Sequence, residues 1–322
     1  MKPHAFQTLR QTFHTCPAGL LRGIAAAGAL ALALPGAAHA QAPAVPVPVP
    51  VPAPAATAAA TAPAGTAYDG LPAQQQAALL SKQVAGGELA KLPDEQLLAV
   101  FNALQPEAPL LWAKAEMNRY PEYEYWMTRQ ERLNGQWQDQ PARMLIRYRH
   151  APRQLYAKWL PGGSQAGQEI LYDETQRKDE MYGHLGGLLG FTSMWIALDG
   201  TIARAQSNHT VRDLGFQYVV AMLDRDARSL RAAGLSERFT RAEIVQEQGM
   251  RMVALTWDLP AGAPRYYAKR VQLMLDLKNP WPRVETAWDT DGNMVEKIVF
   301  EKAVRKTFDA GTFDAKNGDY KF

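Results

Sequence analysis

Apolar and polar positions alternate with period two through most of the C-terminal part of the chain. Residues 143–172, RMLIRYRHAPRQLYAKWLPGGSQAGQEILY, hold three such runs in succession. Met144, Ile146 and Tyr148 share one face, with Arg143, Arg147 and Arg149 on the other. After the His150-Ala151-Pro152 corner, Leu155, Ala157 and Trp159 share a face, with Tyr156 and Lys158 opposite. Beyond Pro161-Gly162-Gly163, Ile170 and Tyr172 share a face again. This pattern predicts antiparallel strands with one apolar and one polar face.

The same period recurs on both sides of this stretch. Tyr123, Tyr125 and Met127 alternate with Glu124, Trp126 and Thr128, and Asn134-Gly135 reads as a hairpin turn before a strand near Gln140. Strands are expected at 178–182 and at 192–198, the latter carrying Met194, Ile196 and Leu198. Four further runs lie near 237–246, 250–259, 266–277 and 282–304, the last a hairpin at Asp291-Gly292-Asn293. In these, Val253, Leu255 and Trp257 share a face, as do Val271, Leu273, Leu275 and Leu277, then Val284, Thr286 and Trp288, then Ile298 and Phe300.

Helical spacing appears in two places. Residues 71–84, 92–104 and 106–118 form an N-terminal helical segment, with Leu97, Leu98, Phe101 and Leu104 as the clearest stripe. Residues 214–233 carry Phe216, Val219, Val220, Leu223, Ala227 and Leu230 on one stripe, with Asp224, Arg225, Asp226 and Arg228 on a wet face and Gly234 as the stop. The predicted fold class is α+β: a curved antiparallel half-barrel of about 8–11 strands covered by helices.

The N-terminus reads differently. Lys2, Arg10 and Arg22 precede a 12-residue apolar run, GIAAAGALALAL, and Ala38-His39-Ala40 fits a cleavage site. This predicts a signal peptide over residues 1–40, cut near Ala40-Gln41, and a periplasmic mature protein. The run falls well short of the ~20 residues that span a bilayer. Residues 41–67 are a Pro/Ala/Val-rich tract that favours polyproline II and builds no core, as a spacer or as filler. Residues 68–120 then form the helical segment and 121–322 the sheet domain.

Cleavage changes the charge picture. The leader takes three of the 35 Lys and Arg residues and no acidic one, which leaves 32 against 32 Asp and Glu. A neutral mature chain has no general electrostatic attraction for nucleic acid or anionic membrane. Cys16 leaves with the leader, which excludes disulfides and thiolate chemistry.

Candidate chemistry is sparse. The mature histidines, His150, His184 and His209, share no metal-ligand spacing, so no metal and no cofactor is expected. Ser207, His209 and Asp213 are close in sequence but lack a nucleophile elbow. Asp289-Thr290-Asp291-Gly292 begins like a calcium loop, yet its twelfth position is Phe300, so a turn is expected. Glu169, near Gln168, Asp173 and Glu174, is a weak candidate for acid/base work. The loop 183–190, GHLGGLLG, has neither dinucleotide-site nor P-loop spacing; it reads as a mobile loop or as one at a cavity mouth. No catalytic residue is assigned.

Strand aromatics and aliphatics point instead to a hydrophobic cavity in the concave sheet, although aromatics also fill ordinary cores. The candidate lining is Met144, Ile146, Tyr148, Trp159, Tyr172, Met194, Ile196, Phe216, Val220, Trp257 and Trp288.

Four segments in order, RYRHAPRQLYAKWL, GQEILY, KDEMYGHLGG and FDAKNGDYKF, resemble the DUF1571 family of exported bacterial proteins over roughly Tyr123 to Phe322. That family is grouped with LolA/LolB-like periplasmic lipoprotein carriers, and the resemblance implies a lidded half-barrel. It implies no catalytic residues; the matched positions Arg149, Pro152, Tyr156, Trp159, Gln168, Glu169, Tyr172 and His184 could serve structure or function. The expected function is therefore a periplasmic, non-enzymatic carrier or binder of a lipid, acyl chain or lipoprotein anchor. An envelope protein-interaction or sensor module and an envelope hydrolase are the alternatives. After leader cleavage, no transmembrane segment and no nucleic-acid partner is expected.

Overall fold

The computed structural model describes residues 64–322 apart from 188, 189, 191, 261–265 and 280. The expected leader, most of the Pro/Ala/Val tract and two positions of the 183–190 loop lie outside the described residues. Three helices come first: α1 (Ala73–Ala85), α2 (Asp94–Ala103) and α3 (Ala108–Met117). Pro93 precedes α2 and Pro109 sits in the first turn of α3, where a missing N–H leaves no bond unmade. Seven strands follow: β1 (Glu122–Leu133), β2 (Gln136–Trp137), β3 (Ala142–Arg149), β4 (Gln154–Trp159), β5 (Glu169–Asp173), β6 (Glu180–His184) and β7 (Met194–Ala197). Then come α4 (Thr201–Arg204) and α5 (Phe216–Ala232). The chain ends with β8 (Arg241–Glu247), β9 (Met250–Asp258), β10 (Arg270–Asp276), β11 (Pro282–Trp288) and β12 (Met294–Arg305).

Eleven strands form one open antiparallel path in the order β7-β6-β5-β4-β3-β1-β12-β11-β10-β9-β8, with β2 paired to β1 alone. The expected curved half-barrel is the observed architecture, with the two-residue β2 added to the expected strands. Asn134 and Gly135 have φ of +50° and +79°, so their turn pairs β2 directly with β1, ahead of the strand expected near Gln140. β7 and β8 are the two ends of the path. To pass from one to the other the chain returns through α4 and α5, and α5 packs on the concave face.

The seat of α5 is aromatic. Phe216 is fully buried, with ring centroids 4.5 Å from Phe300, 5.0 Å from Trp281 and 5.2 Å from Tyr123. The Phe216 N–H donates to the Tyr123 hydroxyl at 3.1 Å, and that hydroxyl donates to the Gln217 side chain. Tyr123 thus satisfies a free N–H at the helix start from the middle of the sheet. Gly215 has φ of +106°, and a Cβ there would lie 2.8 Å from the Tyr123 hydroxyl, so only glycine fits. Lys114 of α3 pairs with Asp224 of α5 at 2.5 Å, tying the N-terminal helices to the same element.

The alternation in β1 and β3 is kept residue by residue in the burial pattern. Three expectations are corrected. Tyr156, placed on a polar face, is buried under the C-terminal tail, where Tyr320 stacks on it at 3.8 Å. Asp226, placed on the wet face of α5, is only 4% exposed. On β11 the register Leu273↔Glu285 and Val271↔Ala287 turns Glu285 and Ala287 toward the concave side. Val284 then packs with Met252 and Val299 on the opposite face, and Thr286 and Trp288 share that face with it as expected, so Trp288, expected in the cavity lining, is turned away from the concave side.

The tail clasps the convex face of β4 and β5. Phe313 and Tyr320 form a cluster with Tyr156 and Leu171. Glu169 accepts from the Tyr156 hydroxyl at 2.9 Å and the Lys321 N–H at 3.1 Å, and pairs with Lys158 at 3.0 Å. Arg149 pairs with Glu122 at 2.8 Å and donates to the Phe308 carbonyl at 2.8 Å. Glu169 is therefore a tail anchor rather than an acid/base candidate. No described helix is long and apolar enough to cross a membrane.

If Phe216 holds α5 on the sheet, Phe216→Ala should cost about 3–5 kcal/mol in urea unfolding. A loss below about 1 kcal/mol would mean that the helix is held by other contacts.

Candidate binding site

The inward positions of β1 change character along the strand. Tyr123, Tyr125 and Met127 are followed by Arg129 and Glu131, both buried. Across the sheet they meet Glu296 of β12 and Glu285 of β11, at 0% and 1% exposure. His209, on the segment between α4 and α5, closes over them. Arg129 Nε lies 3.0 Å from Glu296 Oε1, and His209 Nε2 lies 3.1 Å from Glu296 Oε2 and 3.0 Å from the Tyr267 hydroxyl. Tyr267 also donates to Glu296 at 3.0 Å. Glu131 accepts from the Ser207 hydroxyl at 2.6 Å and the Asn208 N–H at 2.9 Å.

The electrostatics follow from this packing. Burial works against the Arg129 charge, but the Glu296 and Glu131 carboxylates outweigh it and hold its pKa above the ordinary value. Burial also works against protonated His209, and Glu296 outweighs it, so His209 is raised. Burial favours neutral Glu296, and Arg129 and His209 overcome that and lower it. Glu285 differs: burial and then the nearby Glu296 push it well up, and neither carboxyl oxygen has a hydrogen-bond partner among the described residues.

This geometry excludes a triad. The Ser207 hydroxyl faces Glu131, while His209 faces Glu296 and Tyr267 and stands 3.8 Å from Asp213. Ligand atoms of Glu131, His209 and Glu296 do come within 4.8 Å of one another, a donor set that suits a divalent cation. The Arg129 guanidinium already supplies the positive charge there and would repel a metal.

A cleft opens from this ionic end along β3–β6. It encloses about 620 Å³, its open mouth included. Met144, Trp159, Ile170, Met181, Leu198 and Leu214 form its apolar wall; Arg129, Glu131 and His209 close its end. Two polar groups in the wall are buried without hydrogen-bond partners among the described residues: Trp159 Nε1 and Gln168 Oε1, at 8% and 3% residue exposure.

A second cleft of about 630 Å³ lies between α3, α5 and strands β9–β10, and includes Trp257. A third, at the β6–β7 edge, includes His184, Met194 and Ile196. Of the expected cavity residues, Met144 and Trp159 thus meet in one cleft and Trp257, Met194 and Ile196 lie in others. Ile146, Tyr148, Tyr172, Phe216 and Val220 are packed in the core, and Trp288 lines none of the three clefts. Arg129, Glu131, Glu285 and Glu296 were missed. The period-two pattern of β1 already carried Arg129 and Glu131 onto the apolar face, which was the available signal.

Truncating Arg129 to Ala leaves Glu296 buried with less charge compensation and should cost about 3–5 kcal/mol in urea unfolding. The double variant Arg129→Met with Glu296→Leu should recover most of it. Glu285 gives a pH test. Its folded pKa lies above the unfolded value, so its contribution is complete below the unfolded pKa and is lost as pH rises toward the folded one. Glu285→Gln should unfold near the native temperature at about pH 5, close to the unfolded glutamate pKa, and gain on the native protein as pH rises to about 8. A constant difference across that range would contradict the assignment.

Comparison with the curated proteins finds no match. Several solved structures are similar at low identity. An uncharacterized conserved protein from Thermus thermophilus is 12% identical, covering 65% of this chain and 93% of that one, with a TM-score of 0.37. The MucA/MucB complex of Pseudomonas aeruginosa is matched at 14% identity over 63% of this chain and 60% of that one, TM-score 0.32. A LolA superfamily protein from Nitrosomonas europaea is 10% identical over 66% of this chain and 98% of that one, TM-score 0.29. At such scores the likenesses bear on neither ligand nor partner. The family model described as "Protein of unknown function (DUF1571)" matches residues 120–322, which takes in the whole sheet and the tail clasp, and the chain belongs to that family.

Proposed function

We propose that this protein binds an amphiphilic, lipid-like ligand in the β3–β6 cleft and does not transform it. The observation that carries the reading is the cleft's division into an apolar wall and a polar end, with Trp159 Nε1 and Gln168 Oε1 buried and unpartnered between the two. Buried polar atoms without partners are uncommon and need an occupant or a reason. An acyl chain along Met144, Ile170, Met181 and Leu198 contributes about 0.8 kcal/mol per buried CH₂. Its head group accepts from the Trp159 N–H and donates to Gln168. The leader expected at residues 1–40 takes the protein to the periplasm, where such a binder acts as carrier.

Residues 41–322, purified from the periplasm without detergent, should yield lipid on extraction and take up a fluorescent fatty acid. Ala203→Trp, which narrows the cleft at a half-buried position, should weaken uptake about tenfold or more, the loss of roughly two buried methylenes, with an unchanged melting temperature. No extracted lipid and no uptake, or uptake untouched by Ala203→Trp, would sink the reading. A second reading, docking of an envelope protein, is favoured by Met194, Trp195 and Ile202, 40–46% exposed beside the terminal strand β7. Capture of a partner from envelope extract by lipid-free protein, abolished by Trp195→Ser, would support it.

A further inference from the structure

The cleft between α3, α5 and strands β9–β10 is a separate, mainly apolar space with two acids in its lining, Asp226 and Glu237. Leu110, Ala113, Leu230, Leu255, Leu273 and Trp257 supply apolar walls. Asp226 of α5 lines the same space at 4% exposure. Its Oδ2 has no hydrogen-bond partner among the described residues, and Arg225 Nε stands 3.6 Å from Oδ1. The Arg225 side chain is 55% exposed, so it screens this acid only from the solvent side.

The other acid at the cleft, Glu237, is fully engaged. Arg231 Nη1 donates to both of its oxygens, at 2.7 and 2.5 Å. Tyr266, just before β10, has a buried hydroxyl that also lacks a partner among the described residues. The groups that set the Asp226 environment are therefore Arg225 on its own helix, Tyr266, and the closed Arg231–Glu237 pair.

An ionised carboxylate oxygen only accepts, so an occupant must bring a donor to Oδ2. The walls require the rest of the occupant to be apolar. An ammonium meets both needs: it donates a charge-assisted bond and neutralises the carboxylate that burial disfavours.

We propose that this cleft is a binding site for an alkylammonium group, the amine end of an aliphatic chain, held by Asp226. The site is independent of the β3–β6 cleft and of the reading attached to it. Burial raises the Asp226 pKa, with Arg225 opposing it only in part. A bound ammonium selects the ionised form, so affinity rises with pH as Asp226 deprotonates in the free protein.

The test is calorimetric titration of residues 41–322 with octylammonium and with octanol, from pH 5 to pH 8. Octylammonium should bind more tightly than octanol at pH 8, by about tenfold as expected for a charge-assisted bond, and the ratio should shrink as pH falls. Asp226→Asn should remove the preference for the amine while octanol binding stays. Leu110→Trp, which fills this cleft from α3, should weaken both probes, and Ala203→Trp in the other cleft should weaken neither. The proposal is overturned if octanol binds as tightly as octylammonium at pH 8, if the preference survives in Asp226→Asn, or if Ala203→Trp rather than Leu110→Trp removes it. Should Asp226→Asn fail to fold, the pH dependence in the native protein and the Leu110→Trp result decide the matter.

Discussion

The structure depends on how α5 is held against the concave sheet. The sheet runs outward from β1 to β7 on one side and inward from β8 to β12 on the other. The chain must cross from one end to the other in a single connection. A bare crossing would leave the apolar face of the sheet wet. The Phe216 ring, set among Tyr123, Trp281 and Phe300, turns the connection into the core of the protein. The Tyr123 hydroxyl fixes where the helix begins, and Gly215 permits the close approach. Because α5 lies across the middle, the concavity is not one large chamber. Among the described residues, one cleft opens on each side of a packed aromatic seat.

Charge is distributed unequally between these clefts. On the β3–β6 side, Arg129 and His209 balance Glu131 and Glu296 at the closed end. Burying such a set is costly, and its mutual attraction repays the cost only when each member is paired. Three of the five contacts to the Glu131 and Glu296 carboxylates described above come from the segment between α4 and α5, which the cluster therefore ties down on β1. Glu285 is the exception, an acid with no hydrogen-bond partner among the described residues, beside an ionised one. Burial and the Glu296 charge both favour its neutral form.

Much of the fold was legible in sequence because period two and period 3.6 are set by backbone geometry alone. The faces of β1, β3 and β4 and the stripe on α5 followed directly. What was not legible depended on covering elements that come from elsewhere in the chain. Tyr156 reads as outward-facing until the tail is placed over it, and Leu171 is buried on the convex side for the same reason. Asp226 falls among charged neighbours on a helical wheel, yet α3 and the β9–β10 strands close around it. On β11 the choice between Glu285 and Thr286 as the inward residue was settled by register with Leu273, which no local pattern fixes. Several positions on which the family resemblance was read now have separate explanations. Arg149, Tyr156 and Glu169 seat the tail on the convex face, whereas Trp159 and Gln168 line a cleft.

That separation bears on how such a scaffold could choose a ligand. Both clefts have similar volumes, open mouths included, and mainly apolar walls, so volume and hydrophobicity distinguish them little. Apolar burial is non-directional and roughly additive in area, and it grades chain length rather than chemical type. Discrimination must come from the few polar atoms left without partners, since a site built around an unpaired donor or acceptor rejects whatever fails to complete it. An indole N–H and an amide oxygen on one side, and a carboxylate oxygen on the other, ask for different head groups. In the two proposed sites the sheet would supply affinity in common, and these atoms, held by rigid strands and by α5, would supply the difference.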